Sequence, residues 1–138
     1  MSGDYHIRKA TMADANFLAE AIISAEKSSS DKLSLSTLFN LSELEVKRLI
    51  VAMLDEEIDG CEFSLDSFLV ATKEGEAVAA VAGWVEQISG EMASAILKSN
   101  LMGYLFPVES IKFLQEKSDY VTDLMIDRRR GSLQIEYV

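Results

Sequence analysis

Residues 67–86 read SFLVATKEGEAVAAVAGWVE and contain two apolar runs joined by a short charged turn at 73–76. Two such runs around a tight turn predict an antiparallel β-hairpin, and Gly75 supplies the positive φ that the turn requires. The run from Phe68 to Ala71 leaves no polar face, so we expect helices to cover both sides of the hairpin. Gly83 indicates a β-bulge or a close approach of another backbone segment. The hairpin is therefore predicted to form the centre of one sheet.

The composition is that of a single soluble domain spanning residues 1–138. Hydrophobic residues make up 49% and charged residues 26% of the chain, which is ordinary for a globular fold. The apolar runs fall short of the roughly 18 residues that a membrane span requires. The N-terminal residues MSGDYHIRKA have no hydrophobic signal core. We therefore expect a cytoplasmic protein that does not enter a membrane.

The net charge of −10 argues against a nucleic-acid partner, because phosphate binding requires a basic surface. The cluster Arg128–Arg130 is predicted to lie in a turn with solvated side chains. An acidic field attracts amines or basic proteins, but it also serves plain solubility, which we favour. The single cysteine, Cys61, excludes an internal disulfide and cannot form a zinc site alone. We expect it to be a structural thiol, and no metal site is predicted.

Local signals before the hairpin predict a strand followed by helices. Thr11–Asp14 has the spacing of a capping box with Asp in place of Glu, and Ser42–Glu45 forms a second capping box. Apolar residues follow each box at helical spacing. In chain order we expect an edge strand over 5–9, a helix over 13–27, a loop or short helix over 33–41, and a helix from the second capping box to about Glu57.

Residues 89–130 form a long insertion between the third and fourth predicted strands. A helix is predicted to open at 89–91 and to end at Gly103 and Pro107. Its inward face is predicted to contain Ala93, Ile96, Leu97, Leu101 and Tyr104. A further turn or two of helix over 108–117 would turn Ile111 and Leu114 inward. The insertion is interpreted as a substrate-side lid, a dimer surface or simple packing, and an open sheet would expose an apolar patch of Met92, Leu101, Met102, Leu105 and Phe106.

The end of the chain predicts a last strand over residues 132–138. Leu133, Ile135 and Tyr137 alternate there with Gln134 and Glu136, so the three apolar side chains are expected on one face. The preceding segment 120–126 fits either a strand or a helix.

Three segments in this order resemble the GNAT N-acetyltransferase family. YHIRKATMADA (5–15) is similar to the family's first strand and helix, FLVATKEGEAVAAVAGW (68–84) to its second and third strands, and 132–138 to its fourth strand. The resemblance implies an α/β (α+β) fold with a mixed, largely antiparallel sheet flanked by helices. It also implies acetyl transfer from acetyl-CoA to an amine and a catalytic carboxylate on the fourth strand, for which Glu136 is the candidate.

The sequence departs from the family at the cofactor loop. The family binds the acyl-CoA pyrophosphate on a Gln/Arg-x-x-Gly-x-Gly/Ala loop after the fourth strand. RRRGSL (128–133) matches the first half of this pattern, but it ends in Leu and precedes a strand. We therefore expect the C-terminal half of the family's fold to be absent, and no cofactor-binding residue is predicted. The 138-residue chain alone is expected to bind acetyl-CoA weakly or not at all, and it is expected to be inactive.

Acyl transfer to an amine requires a base that takes a proton from the ammonium group. Glu136 is our candidate, although an ordinary carboxylate at the rim of the sheet fits the sequence equally well. The single histidine, His6, is expected to be exposed or structurally satisfied. Tyr104, Tyr120 and Tyr137 are possible proton donors, and the sequence selects none of them. The acceptor amine, the acyl group and the substrate-binding residues stay unassigned.

A second hypothesis treats the chain as a non-catalytic interaction module that kept the scaffold and lost the cofactor half. A sheet ending on an apolar strand presents an unpaired edge, which favours pairing with another chain. We therefore also expect a homodimer or higher oligomer whose interface includes residues 132–138 or the helical insertion.

Overall fold

A computed structural model describes residues 4–28, 34–56, 58–87, 92–116 and 128–137. These residues form a mixed α/β fold in which helices pack against a four-stranded sheet. The elements in chain order are β1 (Tyr5–Lys9), α1 (Ala15–Glu26), α2 (Ser34–Phe39), α3 (Glu43–Asp55), β2 (Phe68–Lys73), β3 (Glu76–Val85), α4 (Ser94–Leu105), α5 (Val108–Gln115) and β4 (Leu133–Glu136). None of the helices in the described ranges has the length and apolarity that a membrane crossing requires.

The sheet has the strand order β1-β2-β3-β4, and all three neighbouring pairs are antiparallel. The predicted central hairpin is confirmed as β2 and β3. Glu74 and Gly75 connect the two strands with φ values of 54° and 83°, as a two-residue hairpin turn of the primed type requires. The register shift lies between Ala71 and Thr72 rather than at Gly83. A Cβ atom at Gly83 would meet the Gln134 carbonyl oxygen at an ordinary 3.6 Å.

One face of the sheet lies in the hydrophobic core. Its buried side chains on β2 and β3 are Phe68, Val70, Ala82 and Trp84. They share one core cluster with the apolar stripes of α1 and α3, which include Leu18, Ile22, Ile50 and Leu54. The predicted α3 stripe is confirmed, because Val46, Ile50, Met53 and Leu54 are all buried.

The opposite face of the sheet, which we call the outer face, is apolar and exposed. The exposed fractions are 68% for Ile7, 44% for Leu69, 65% for Leu133 and 61% for Ile135. The expectation that helices cover both faces is therefore wrong for the described part of the chain. Side chains alternate between the two faces of the sheet. Phe68 and Val70 therefore point into the core, and Leu69 points to the outer face.

The two predicted capping boxes mark the true helix starts. At the first box, the Thr11 N–H donates to Asp14 Oδ2 at 2.8 Å. A single 3₁₀ turn, Met12–Asp14, precedes α1, so this helix begins two residues later than predicted. At the second box, the Ser42 hydroxyl accepts the Glu45 N–H at 3.1 Å. Of the two alternatives for residues 33–41, the short helix is correct, and it forms α2.

The insertion contains two helices, as predicted, and the inward face of α4 is confirmed in part. Leu97 and Leu101 pack inward as predicted, together with Ser94, whereas Ile96 and Tyr104 are exposed. Gly103 lies inside the helix rather than at its end. The predicted apolar stripe was too wide, and the first turn of α4 is also held by the hydrogen bond from the Ser94 N–H to Glu86. The predicted helix opening at 89–91 and the segment 120–126 lie outside the described residues.

The apolar patch predicted on the insertion is wrong, because two of its members are core residues. Leu101 is buried, and Phe106 packs edge-to-face on Phe39 with the ring centroids 4.6 Å apart. Helix α5 follows the prediction, since Ile111 and Leu114 pack against the core.

Strand β4 is shorter than predicted, and Tyr137 leaves its alternating pattern. Tyr137 has a φ of 53°, which turns its side chain away from the face of Leu133 and Ile135. Its ring lies 6.2 Å from that of Phe63, and its hydroxyl donates to Glu26 Oε1 at 3.0 Å. The expectation that Leu133, Ile135 and Tyr137 share one face is therefore wrong.

Candidate functional site

Charged side chains from four parts of the chain meet between β3, α4 and β4. We call this group the charge cluster, and its members are Glu62, Glu86, Lys98, Arg128 and Glu136. Arg128 Nη2 lies 3.1 Å from Glu136 Oε1 and 3.5 Å from Glu62 Oε2, and Lys98 Nζ lies 2.7 Å from Glu62 Oε1. Three carboxylates face two cations, so the cluster carries one negative charge in excess.

Arg128 is the centre of the charge cluster. Only 8% of its side chain is exposed, which corrects the prediction that all three arginines of 128–130 are solvated. Its Nη1 donates to Ser94 Oγ at 3.2 Å, and its guanidinium carbon lies 5.3 Å from the centroid of the Trp84 ring. A turn at Gly131, whose φ is 82°, follows the arginines. Arg128 lies on the inner side of this turn, while Arg129 and Arg130 are exposed.

Glu86 fixes the geometry around Arg128. Its carboxylate accepts the Trp84 indole N–H at 3.0 Å and the Ser94 backbone N–H at 2.8 Å. Ser94 is the first residue of α4, so this carboxylate caps the helix. Burial raises the pKa of Glu86, but the Ser94 and Trp84 hydrogen bonds and the charge of Arg128 lower it by more. The net pKa lies below the ordinary value, and Glu86 is ionised at neutral pH.

Glu62 is a buried carboxylate that is balanced by charge alone. Its side chain is 2% exposed, and it contacts the cations of Lys98 and Arg128. Neither contact has hydrogen-bond geometry, so both carboxylate oxygens are without a hydrogen-bond donor among the described residues. Desolvating a carboxylate in this way is costly unless neighbouring charges compensate it. Loss of either cation should therefore destabilise the cluster.

Glu136, the predicted base, is the cluster carboxylate that reaches solvent. A third of its side chain is exposed, whereas Glu62 and Glu86 are fully buried. It lies on β4 opposite Ala82, on the side of the sheet that faces the cluster, and Ile135 points to the outer face as expected. Its Oε1 accepts a hydrogen bond from Arg128. Glu136 thus combines an anchored carboxylate with access from solvent.

A cleft of about 330 Å³, which we call the Trp84 cleft, lies beside the charge cluster. Its apolar walls include Trp84, Met92 and Leu97, and its polar walls include Asp59 and Asp66. Asp59 Oδ1 lies 3.5 Å from the Ser64 hydroxyl, and Asp66 Oδ1 lies 3.5 Å from Lys9 Nζ. Asp59 is exposed, and 61% of the Asp66 side chain is exposed despite its ion pair with Lys9, so both carboxylates are accessible to a ligand. Trp84 lines the cleft and also contacts Arg128 of the charge cluster, so the cleft and the cluster are adjacent.

The remaining predicted candidates lie in other environments. His6 is exposed on β1, as expected. Burial raises the pKa of Cys61 to about 11, so this residue is a neutral thiol at physiological pH, which agrees with the structural role expected for it. Tyr104 is exposed on α4, and Tyr120 lies outside the described residues. For Tyr137, burial and the neighbouring Glu26 carboxylate raise the pKa far above its usual range, so its hydroxyl stays protonated.

Residues 128–132 do not fit an acyl-CoA pyrophosphate. Such a group requires converging backbone N–H donors. The Gly131 N–H donates to the Glu86 carbonyl at 2.8 Å, and the Ser132 N–H donates to the Arg129 carbonyl at 3.1 Å. Arg128 is held in the charge cluster. In the described ranges, moreover, no group of three or more His, Cys, Asp or Glu side chains is placed to hold a metal ion.

Four residues of the charge cluster were not predicted from the sequence: Glu62, Glu86, Lys98 and Arg128. A signal was present for two of them, because Glu62 lies between Cys61 and Phe63, and Glu86 directly follows the apolar run of β3. A charge inside an apolar stretch is often a buried and paired charge. Comparison of the chain with protein-family models, with curated proteins and with solved structures gave no match.

Proposed function

We propose that this chain is a GNAT-like N-acyltransferase, or the acceptor-side portion of one, that transfers an acetyl group to an amine. The observation that supports this proposal is the environment of Glu136. Its carboxylate is held by the buried Arg128, yet a third of the side chain is exposed. A carboxylate that is fixed in position and open to solvent is suited to general base catalysis.

The proposed role of Glu136 follows from the chemistry of amines. An alkylamine is protonated at neutral pH, and its nitrogen attacks an acyl carbon only after the ammonium proton has been removed. Glu136 accepts that proton, and the Arg128 contact keeps the carboxylate in one orientation while it does so. Trp84, Ser94 and Glu62 in turn surround Arg128 and keep it in place. The antiparallel sheet and the position of Glu136 on β4 agree with what the GNAT resemblance implies.

The acyl donor implied by the resemblance is acetyl-CoA, but residues 128–132 do not fit its pyrophosphate. We therefore propose that the described residues supply the acceptor side of the reaction. The donor side would require a phosphate-binding loop that these residues do not form.

The test uses a thioester that lacks the pyrophosphate, S-acetyl-N-acetylcysteamine, together with a panel of primary amines. The chain alone is expected to be inactive with acetyl-CoA, but with a thioester that needs no pyrophosphate site we expect it to accelerate formation of the acetamide, measured by mass spectrometry. Glu136→Gln should abolish this acceleration. Glu116→Gln, on an exposed residue just after α5, serves as the control and should keep it. Acetyl-CoA should react no faster than the short thioester. Equal rates for Glu136→Gln and the unchanged chain would overturn the assignment of the base.

A second candidate function is supported by the exposed outer face. Ile7, Leu69, Leu133 and Ile135 present exposed apolar side chains on one face of the sheet, and exposed apolar patches on a protein surface mark interaction sites. In this alternative the chain is a non-catalytic interaction module. We propose a second copy of the same chain as the partner, in a homodimer or higher oligomer, because the apolar face is self-complementary in chemistry. Its test is a measurement of the oligomeric state by light scattering.

A further inference from the structure

We infer that the Trp84 cleft binds a primary amine that carries an apolar chain. The inference goes beyond the proposed function. The cleft is separate from Glu136, which is not among its lining residues. An ammonium group held by Asp59 or Asp66 is therefore bound apart from the proposed base, and the cleft is a second amine site rather than the site of proton removal.

The shape and lining of the cleft favour a small ligand with one apolar end. Its volume of about 330 Å³ lies at the low end of the range for small-molecule sites, roughly 300–1,000 Å³. Trp84, Met92 and Leu97 provide apolar contact, and Gln87 adds an amide. Burial of an alkyl chain against such walls supplies binding free energy that does not depend on the charge of the ligand.

The charges around the cleft determine the polar end of the ligand. Asp59 and Asp66 line the cleft, and the nearest contact described for each carboxylate is 3.5 Å long. An ammonium group that approaches either carboxylate at hydrogen-bond distance gains a charge-assisted bond. A ligand carboxylate would be repelled at the same place. The cleft therefore discriminates between a cation and an anion of the same size.

The charge cluster adds to the negative charge near the cleft. Three carboxylates face two cations there, and Trp84 is shared between the cluster and the cleft. Because Glu136 is partly exposed, this excess is screened by solvent, and its effect on a ligand in the cleft is smaller than that of Asp59 and Asp66.

The test uses the fluorescence of Trp84, which is the single tryptophan of the chain. Hexylamine is titrated at neutral pH and compared with hexanol and hexanoate, which have the same alkyl chain. We expect a saturable change with hexylamine and much weaker or no change with the other two compounds. Equal responses to all three would overturn the inference, because they would show apolar partition without recognition of the ammonium group.

Variants of the cleft carboxylates locate the site. We expect Asp59→Asn with Asp66→Asn to weaken hexylamine binding about tenfold, and Asp66→Asn alone to weaken it about threefold. The single variant changes a mostly exposed side chain, so it remains informative if the double variant does not fold. Glu74→Gln with Glu76→Gln is the matched control, because it removes the same charge from the exposed hairpin turn. Equal weakening by the control pair would show a general charge effect and would overturn the inference.

Acetyl transfer separates this inference from the proposed function. Glu136→Gln is expected to stop transfer and to leave hexylamine binding unchanged. If the chain binds hexylamine through Asp59 and Asp66 but acetylates no amine, the inference holds and the proposed function fails. If the chain acetylates amines but hexylamine does not bind through Asp59 and Asp66, the proposed function holds and the inference is overturned.

Discussion

The two faces of the central sheet have similar side chains and opposite surroundings. On the core face, Phe68 and Val70 are fully buried against the helices. On the outer face, Leu69 and Ile135 are exposed to solvent. The core face also has the charge cluster at one end, where Arg128 lies between carboxylates and the Trp84 ring. An apolar strand surface therefore stabilises the fold only where another element of the structure covers it.

The largest expected effect comes from truncating neighbouring residues on the two faces. Phe68→Ala should lower the free energy of unfolding by about 3–5 kcal/mol, because it leaves a cavity in the core. Leu69→Ala, one residue further on, should cost less than about 1 kcal/mol because 44% of the Leu69 surface is exposed and no helix covers it. Urea denaturation measures both values. Similar losses for the two variants would mean that the outer face is covered in solution.

The next largest effect on the free energy of unfolding is expected at Arg128, in the charge cluster. Arg128→Met should cost about 3 kcal/mol, because it leaves the buried Glu62 with one cation fewer. Arg129→Met changes the same residue type on an exposed position and should stay within about 0.5 kcal/mol. Adding Glu62→Gln to Arg128→Met should restore part of the loss. Equal stability of the Arg128 and Arg129 variants, measured by thermal unfolding, would contradict a buried role for Arg128.

A smaller effect on stability is expected at the ion pair between Arg8, on the edge strand β1, and Asp14. The Arg8 guanidinium donates two hydrogen bonds to Asp14, at 2.7 and 2.8 Å, and together with the Thr11 N–H it lowers the pKa of Asp14 to about 2. The unfolded value is about 3.9, so the folded state favours the ionised carboxylate. Because Arg8 is partly exposed, we set the loss in Asp14→Asn at about 1–2 kcal/mol at pH 7.

Because folding lowers the pKa of Asp14, the stability that this residue contributes depends on pH. The Asp14 contribution is complete above the unfolded pKa and is lost as the pH falls from about 4 to 2. Unfolding curves of the unchanged chain and of Asp14→Asn should therefore differ by a constant amount at pH 5–7 and converge below pH 4. Glu43→Gln, which removes the exposed pair with Lys27, serves as the control and should show a difference below about 0.5 kcal/mol. A difference for Asp14→Asn that persists at pH 2 would contradict this assignment.

The smallest effect on stability, and the most direct test of the outer face, is Ile135→Asp. The side chain is exposed, so the free energy of unfolding of the monomer should change by less than about 1 kcal/mol. Self-association should be lost, because a charge would then lie in the apolar interface. Light scattering at tens of micromolar measures the oligomeric state. Val108→Asp, on an exposed apolar residue of α5, should leave it unchanged.

A monomer at that concentration would argue against the homo-oligomer. Tyr137, although its sequence pattern groups it with Ile135, is unsuitable for this test. Its side chain turns toward Glu26 and Phe63, so a change there would disturb the fold.

The parts of the fold that the sequence predicted correctly depend on contacts between near neighbours. The hairpin turn needs Gly75, and the start of α3 needs the Ser42 hydroxyl beside the Glu45 N–H. Each signal lies within a few residues, so it can be read without knowledge of the tertiary fold. Glu136 was likewise predicted to lie on the last strand, where it is found, and its catalytic role stays a prediction.

The parts that could not be predicted depend on distant partners or on a single dihedral angle. Arg128 is buried because Glu62 and Ser94, which are far away in sequence, lie beside it. Tyr137 leaves its expected face because of one positive φ value, which a non-glycine residue rarely adopts. The exposure of Leu69 is set by the absence of a covering element in the described residues, and strand alternation cannot reveal this.

The pairing of β3 with β4 has a consequence for the order in which the sheet assembles. Val85 pairs with Leu133, so α4 and α5 both lie within the long loop that this pairing closes, whereas a two-residue turn joins β2 to β3. Closing a long loop costs more chain entropy than closing a hairpin, so β4 should dock after the hairpin has formed. We therefore expect the amide protons of β4 to exchange with deuterium faster than those of β2 in the native state. If so, Glu136 takes its place beside Arg128 in the last step of folding and leaves it in the first step of local unfolding.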